Sequence, residues 1–147
     1  MSLVQQAHRL LREHLAAVAE LERSIFAEPW SESALELLLT DSAYGVVCLQ
    51  DGKAVAYGGM MIAVDEGQIT NIAVRADCRR QGLGRAVLLA LESEARARGL
   101  EQISLEARVS NTAAIALYES VGFQTEGRRR NFYRHPTEDA LVMIKRL

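Results

Sequence analysis

Cysteine is scarce in this chain. Cys48 and Cys78 are the only two in 147 residues, too few for a disulfide framework, and both are expected to be reduced thiols. No His and Cys residues fall at metal-ligand spacing, so no metal is expected. No apolar run approaches the roughly 20 residues that a helix needs to cross a bilayer, and no membrane partner is expected. Gln5, Gln6, His8 and Arg9 follow close behind the first Leu and Val, leaving no apolar core for a secretory leader. The cytoplasm is therefore the expected location. Repeats, low-complexity tracts and Pro/Gly/Ser-rich linkers are all lacking, so residues 1–147 are expected to form one domain. The formal net charge of −2 provides no general basic field for nonspecific contact with nucleic acid. Arg128, Arg129, Arg130 and Arg134 make only a local basic cluster.

What is present is the composition of a compact globular protein. The chain is 49% hydrophobic and 24% charged, away from the disordered and membrane extremes, and 147 residues suffice for a sizeable core. A strand is expected near Gln6 to Leu10, then a helix from about Glu13 to Phe26 with Leu15, Val18, Leu21 and Ile25 on one face. Pro29-Trp30 breaks it, and Ser31 caps a second helix in which Ala34, Leu35, Leu38 and Leu39 are apolar. Asp51-Gly52 between the apolar segments Tyr44–Leu49 and Lys53–Val64 is a hairpin signal. Further strands are expected from Asp65-Glu66-Gly67 to Val74, over Gln102–Ala107, from Phe123 onward and over Ala140–Lys145. Helices follow Gly84 up to Gly99 and run from Asn111 to Val121. The alternation predicts an α/β fold with helices on both faces of a mixed sheet, the strands around Val74 and Leu105 side by side.

The most informative segment is Arg79-Arg80-Gln81-Gly82-Leu83-Gly84-Arg85-Ala86. It lies between the β-branched run Ile69–Val74 and a helix marked by Val87, Leu88 and Leu91. Glycines let the backbone approach a bulky anion, a helix start offers unpaired N–H groups, and arginines add charge-assisted contacts, so a pyrophosphate is the expected ligand. A P-loop does not fit, because Arg85-Ala86 stands where Lys and Ser or Thr are needed, nor does the dinucleotide fingerprint, with Val87 at its third glycine. A glycine turn with solvated arginines is the plainer alternative.

Arg79-x-x-Gly82-x-Gly84 after a strand matches R/Q-x-x-G-x-G/A, and on this motif the chain resembles the GNAT N-acetyltransferase superfamily, whose acetyl-CoA signature it is. Leu105–Asn111, Ala113–Phe123, Glu28-Pro29-Trp30-Ser31 and Arg129–Tyr133 are similar to the bacterial RimI-type ribosomal-protein alanine N-acetyltransferases, in the same order and over nearly the whole chain. Ala107 and Val109 depart mildly from that pattern, and Glu28 stands where an aromatic is usual before Pro-Trp.

The resemblance implies a mostly antiparallel sheet whose two central strands splay. Acetyl-CoA is the implied acetyl donor. Arg79, Arg80, Gln81, Gly82, Leu83, Gly84 and Arg85 would hold its pyrophosphate. Ile72, Ala73 and Val74 would line its pantetheine arm, with a backbone N–H freed by a bulge to stabilise the oxyanion. Glu106 occupies the position of the general base, and Tyr118 that of the acid that protonates the departing thiolate. Asn111, seven residues before Tyr118, faces the same way on one helix. Trp30 and Tyr133 fall in segments near the acceptor groove. From spacing alone, Glu106 reads as a surface acid paired with Arg108, Tyr118 as core packing, and Asn111 as a helix cap.

An amine attacks only when neutral. An α-amino group, with a pKa of about 7.7–8.0, is partly so at cellular pH, whereas a lysine near about 10.4 is not, which favours an N-terminal acceptor. The expected function is acetyl-CoA-dependent acetylation of a protein N-terminus, the alanine of a small-subunit ribosomal protein being the acceptor the resemblance implies. Two alternatives stand beside it. One is acetylation of lysine or a small-molecule amine. The other is a noncatalytic acyl-CoA sensor, which would need Gly82 and Gly84 but neither Glu106 nor Tyr118.

Overall fold

The computed structural model describes residues 6–147; the first five, on which part of the leader reading depends, lie outside them. Seven strands form one sheet: β1 His8–Arg9, β2 Ala43–Gln50, β3 Lys53–Ala63, β4 Glu66–Val74, β5 Gln102–Arg108, β6 Gln124–Tyr133 and β7 Glu138–Arg146. Their order is β1-β2-β3-β4-β5-β7-β6, and every neighbouring pair is antiparallel except β4 with β5. The helices are α1 Leu15–Ile25, α2 Glu32–Leu35, α3 Leu83–Ala97 and α4 Thr112–Ser120. No helix among the described residues is long and apolar enough to cross a membrane.

Local chemistry accounts for most of these boundaries. Asp51 and Gly52 both have positive φ, the backbone of a two-residue turn whose twist matches the β2–β3 hairpin. Both α3 and α4 end on a left-handed glycine, Gly99 and Gly122. At the end of α3 the Leu100 N–H reaches back to the Ala95 carbonyl, and at the end of α4 the Phe123 N–H reaches back to the Tyr118 carbonyl, each at 3.0 Å. One expectation changes. The helix after Ser31 is a single α turn, α2, followed by a 3₁₀ turn over Glu36–Leu39, although Ser31 caps it as expected by accepting the Ala34 N–H. Leu35 and Leu38 are both buried, and a 3₁₀ turn superposes residues three apart.

The two faces of the sheet carry separate cores. On one, Val87, Leu88, Leu91 and Ala95 of α3 pack with Ile103 and Met143. On the other, Leu15, Val18 and Leu21 of α1 pack with Val47, Tyr57 and Ala73. Consecutive glycines in β3 serve one face each: a Cβ on Gly58 would collide with the Val87 side chain and come within 3.2 Å of Leu91, and one on Gly59 would come within 2.6 Å of Leu38. The second core also contains a buried acid. Glu22 of α1, 1% exposed, accepts a hydrogen bond from the hydroxyl of fully buried Tyr57. Burial first, and then the neighbouring carboxylate, hold that hydroxyl far above the ordinary tyrosine range.

Gly58→Ala is expected to destabilise the protein by about 1–3 kcal/mol through overpacking against α3, seen as a lower urea midpoint at unchanged slope. The raised Tyr57 hydroxyl also fixes a sign for pH. Its contribution to stability is complete below pH 10.0, the ordinary value, and is lost as pH rises above it, because the unfolded chain then releases a proton that the folded one keeps. Tyr57→Phe should flatten the alkaline decline in unfolding free energy by up to ~1.4 kcal/mol per pH unit.

Candidate active site

The sheet opens at its centre. β4 and β5 pair only through Glu66 with Gln102, Gly67 with Ile103 and Gln68 with Ser104, and then part. Each stays a strand because its other edge remains paired: β4 follows β3 to Val74, and β5 follows β7 to Arg108. β4 also carries an extra residue, Thr70, where the register with β3 jumps from Gly59–Asn71 to Met60–Ile69. A cleft of about 840 Å³ lies where the strands diverge, walled by β4, β5, α4, the segment after α1 and the β6–β7 turn.

Trp30, Ile72, Glu106, Asn111, Tyr118 and Tyr133, six of the residues singled out from the sequence, line this one cleft. Glu106 is half-buried on β5. It pairs with Arg129 Nε at 3.4 Å, and not with Arg108. Arg108 turns to the β6–β7 turn, where its guanidinium donates to Glu138 at 3.1 Å and to the carbonyls of Arg134 and Pro136 at 2.9 and 3.0 Å. The same guanidinium lies 4.4 Å from the centre of the Tyr133 ring. Burial first, and then the charges of Glu106 and Tyr118, push the Tyr133 hydroxyl up to about 12.

Tyr118 is held by the end of its own helix. The turn through Gly122 brings the Phe123 ring to 6.1 Å from the Tyr118 ring, the apolar contact that accompanies this type of helix stop. Burial raises the Tyr118 hydroxyl, so it remains a phenol throughout the neutral range. Asn111 caps α4, its Oδ1 accepting the Ala114 N–H at 3.2 Å. It does this at the edge of the cleft, so the cap and the expected neighbourhood coincide.

The glycine loop lies outside the lining of this cleft, at the start of α3. Gly82 has φ +80 and open space where a Cβ would stand, and no side chain caps the helix. The first helical bond runs from the Ala86 N–H to the Gly82 carbonyl, so the N–H groups of Leu83, Gly84 and Arg85 precede the hydrogen-bonded ladder. An uncapped helix start beneath an open glycine fits a pyrophosphate, and the parted edge of β4 fits the amides of a pantetheine arm. Four expectations need refinement. A Cβ on Gly84 would stand 3.1 Å from Leu117, so glycine there seats α3 against α4. The Ala73 side chain is buried toward α1, which leaves only its backbone for an arm, whereas Ile72 and Val74 pack toward the other core. Arg79 donates to the Val74 carbonyl, and Arg85 reaches Ser120 on α4. Arg80 and Gln81 are exposed, Arg80 with positive φ.

Among the lining residues that a reading of the sequence misses are a buried acid and a carboxamide. Glu22 and Asn71 reach the cleft from α1 and β4, and Glu22 accepts the Trp30 N–H at 2.9 Å as well as the Tyr57 hydroxyl. The available signal was an acid on the apolar face of the first helix, one residue after Leu21 and four after Val18. At the cleft mouth, Glu28 faces His135 Nε2 at 3.1 Å, joining the segment after α1 to the β6–β7 turn.

Residues 15–123 match the Acetyltransferase (GNAT) family. The ribosomal protein bS18-alanine N-acetyltransferase of Escherichia coli (strain K12) is 42% identical over 133 residues, covering 88% of both chains. Its counterpart in Salmonella typhimurium (strain LT2) is 39% identical over 133 residues, again covering 88% of each. The crystal structure of the ribosomal-protein-S18-alanine N-acetyltransferase from Escherichia coli superimposes with a TM-score of 0.86 at 38% identity, covering 99% of this chain and 94% of that one. Sequence and fold agree, and this chain belongs to the GNAT family of N-acetyltransferases, enzymes whose acetyl donor is acetyl-CoA.

Proposed function

We infer that this chain, acting as one domain in the cytoplasm, acetylates the α-amino group of a protein N-terminus, and that its acceptor is the N-terminal alanine of a small-subunit ribosomal protein. The relatives named for bS18 alanine favour this acceptor. The observation that carries the chemistry is the meeting of Glu106, Tyr118 and Tyr133 in the cleft opened by β4 and β5.

Acetyl-CoA, when bound, supplies an acetyl group on a thioester. The chain's own residues then have separate tasks. The open edge of β4 from Ile72 to Val74 aligns the pantetheine arm, while the start of α3 with Arg79, Arg80 and Arg85 holds the pyrophosphate. Glu106 takes a proton from the acceptor amine, directly or through a water, and the amine becomes a nucleophile. Tyr118, kept protonated by burial, would give its hydroxyl proton to the sulfur as the amine's new bond to the acetyl carbon displaces it, and would recover a proton from the acylated nitrogen. Trp30 and Tyr133 flank the acceptor chain.

Thiol release from acetyl-CoA should appear with a short peptide carrying the ribosomal N-terminus and vanish when its α-amine is blocked, even with a lysine added. Turnover that survives blocking would move the acceptor to lysine, and no turnover with either peptide would return the small-molecule and sensor readings. Glu106→Gln and Tyr118→Phe should each lower kcat by roughly a hundredfold or more while acetyl-CoA affinity, measured by calorimetry, stays within about twofold. Normal rates in both variants would remove these two roles.

A further inference from the structure

Glutamates approach the cleft from four directions, and three of them have a basic partner. Glu28 faces His135, Glu106 pairs with Arg129, and Glu138 pairs with Arg108. Glu22 differs. It is the one buried acid among the described residues, and none of the ion pairs among those residues includes it. Its donors are the Trp30 N–H at 2.9 Å, the Tyr57 hydroxyl and the Asn71 Nδ2 at 3.5 Å, all of them neutral. Hydrogen bonds hold the carboxylate in place without cancelling its charge. Buried carboxylates are ordinarily matched by a cation, and its absence among the described residues points to one that arrives from outside.

A second observation lies beside the first. Asn71 Oδ1 is buried and accepts no hydrogen bond, the one such side-chain atom among the described residues. Asn71 lies next to the Thr70 bulge and lines the same cleft as Glu22. A buried acceptor without a donor is unfavourable until a donor reaches it. An unmatched anion and an unused acceptor thus adjoin a cleft whose acceptor group enters chiefly as an ammonium, which carries both a positive charge and N–H donors.

We propose that Glu22 and Asn71 form the floor of a subsite for the acceptor's α-ammonium. Glu22 supplies the counter-charge and Asn71 Oδ1 takes an N–H, so the acceptor is captured in its charged form before Glu106 removes the proton. Binding and deprotonation then fall to different carboxylates. The one without a basic partner attracts the cation, and Glu106, half-exposed beside Arg129, exchanges the proton. The subsite rests on the reading that the acceptor is a peptide α-amine.

The test compares the ribosomal N-terminal peptide with the same peptide bearing an α-hydroxyl in place of the α-amine, a change that removes the charge and leaves the chain. By calorimetry, the unaltered enzyme should bind the amine peptide roughly tenfold or more tighter than the hydroxyl peptide, the scale of one unscreened charge at the cleft. Glu22→Gln should bring the two dissociation constants within about twofold of each other with the hydroxyl peptide's value unchanged, a result that loss of packing alone would not produce. Its KM for the peptide should rise while that for acetyl-CoA stays constant. Asn71→Ala, at a partly exposed site, should lower the amine preference part of the way. An undiminished preference in folded Glu22→Gln overturns the subsite; should that variant not fold, an undiminished preference in Asn71→Ala does so. Absence of peptide acetylation by the unaltered enzyme would sink the functional reading and the subsite together, whereas normal turnover with an unmoved preference sinks the subsite alone.

Discussion

The parting of β4 and β5 is the constraint on which the rest of the molecule depends. A sheet ordinarily satisfies the backbone groups of each central strand on both edges, and here the pairing stops after three residue pairs. The arrangement is stable because the burden is moved outward. β3 pairs β4 to its end, β7 pairs β5 along its whole length, and a core on each face of the sheet covers the side chains. The unpaired inner edges are left for a ligand that carries its own amides, as acetyl-CoA does in its pantetheine arm.

Close packing around the gap relies on residues that are small where helices approach. Gly58 admits Val87 of α3, Gly59 admits Leu38, and Gly84 admits Leu117 of α4. Gly122 works differently. Its left-handed backbone ends α4 so that Phe123 folds back on Tyr118, and a helix stop thereby orients the candidate proton donor. Charge is distributed with comparable economy. Arg108 ties the β6–β7 turn together and lies against Tyr133, Arg129 pairs with Glu106, and among the described residues Glu22 is held by neutral donors.

Much of this was legible in the sequence because it depends on short-range chemistry. The Asp51-Gly52 turn, the Ser31 and Asn111 caps and the glycine stops at 99 and 122 each involve backbone groups within a few residues. The loop from Arg79 to Arg85 was recognisable for the same reason, since the strand, the glycines and the helix are adjacent in the chain. Shortening of the helix after Ser31 was not legible, because the 3₁₀ turn answers to Leu38 meeting Gly59, a residue 21 positions further on. The packing role of Gly84 was not legible either, because its missing side chain faces Leu117 in a helix that begins 28 residues later.

By itself the sequence determined the elements, their order, the family and the residue types at Glu106 and Tyr118, since periodicity, caps and motifs are written in consecutive residues. Tertiary structure alone decided which charges meet. Glu106 lies beside Arg129 and not Arg108 because β5 and β6 flank β7 on opposite edges and bring their side chains together over it. Glu22 became a buried acid of the cleft only when α1 packed on β3 and β4, where Tyr57 and Asn71 wait for it. Ion pairing, burial and pKa depend on distances across strands far apart in the chain, and the fold sets those distances.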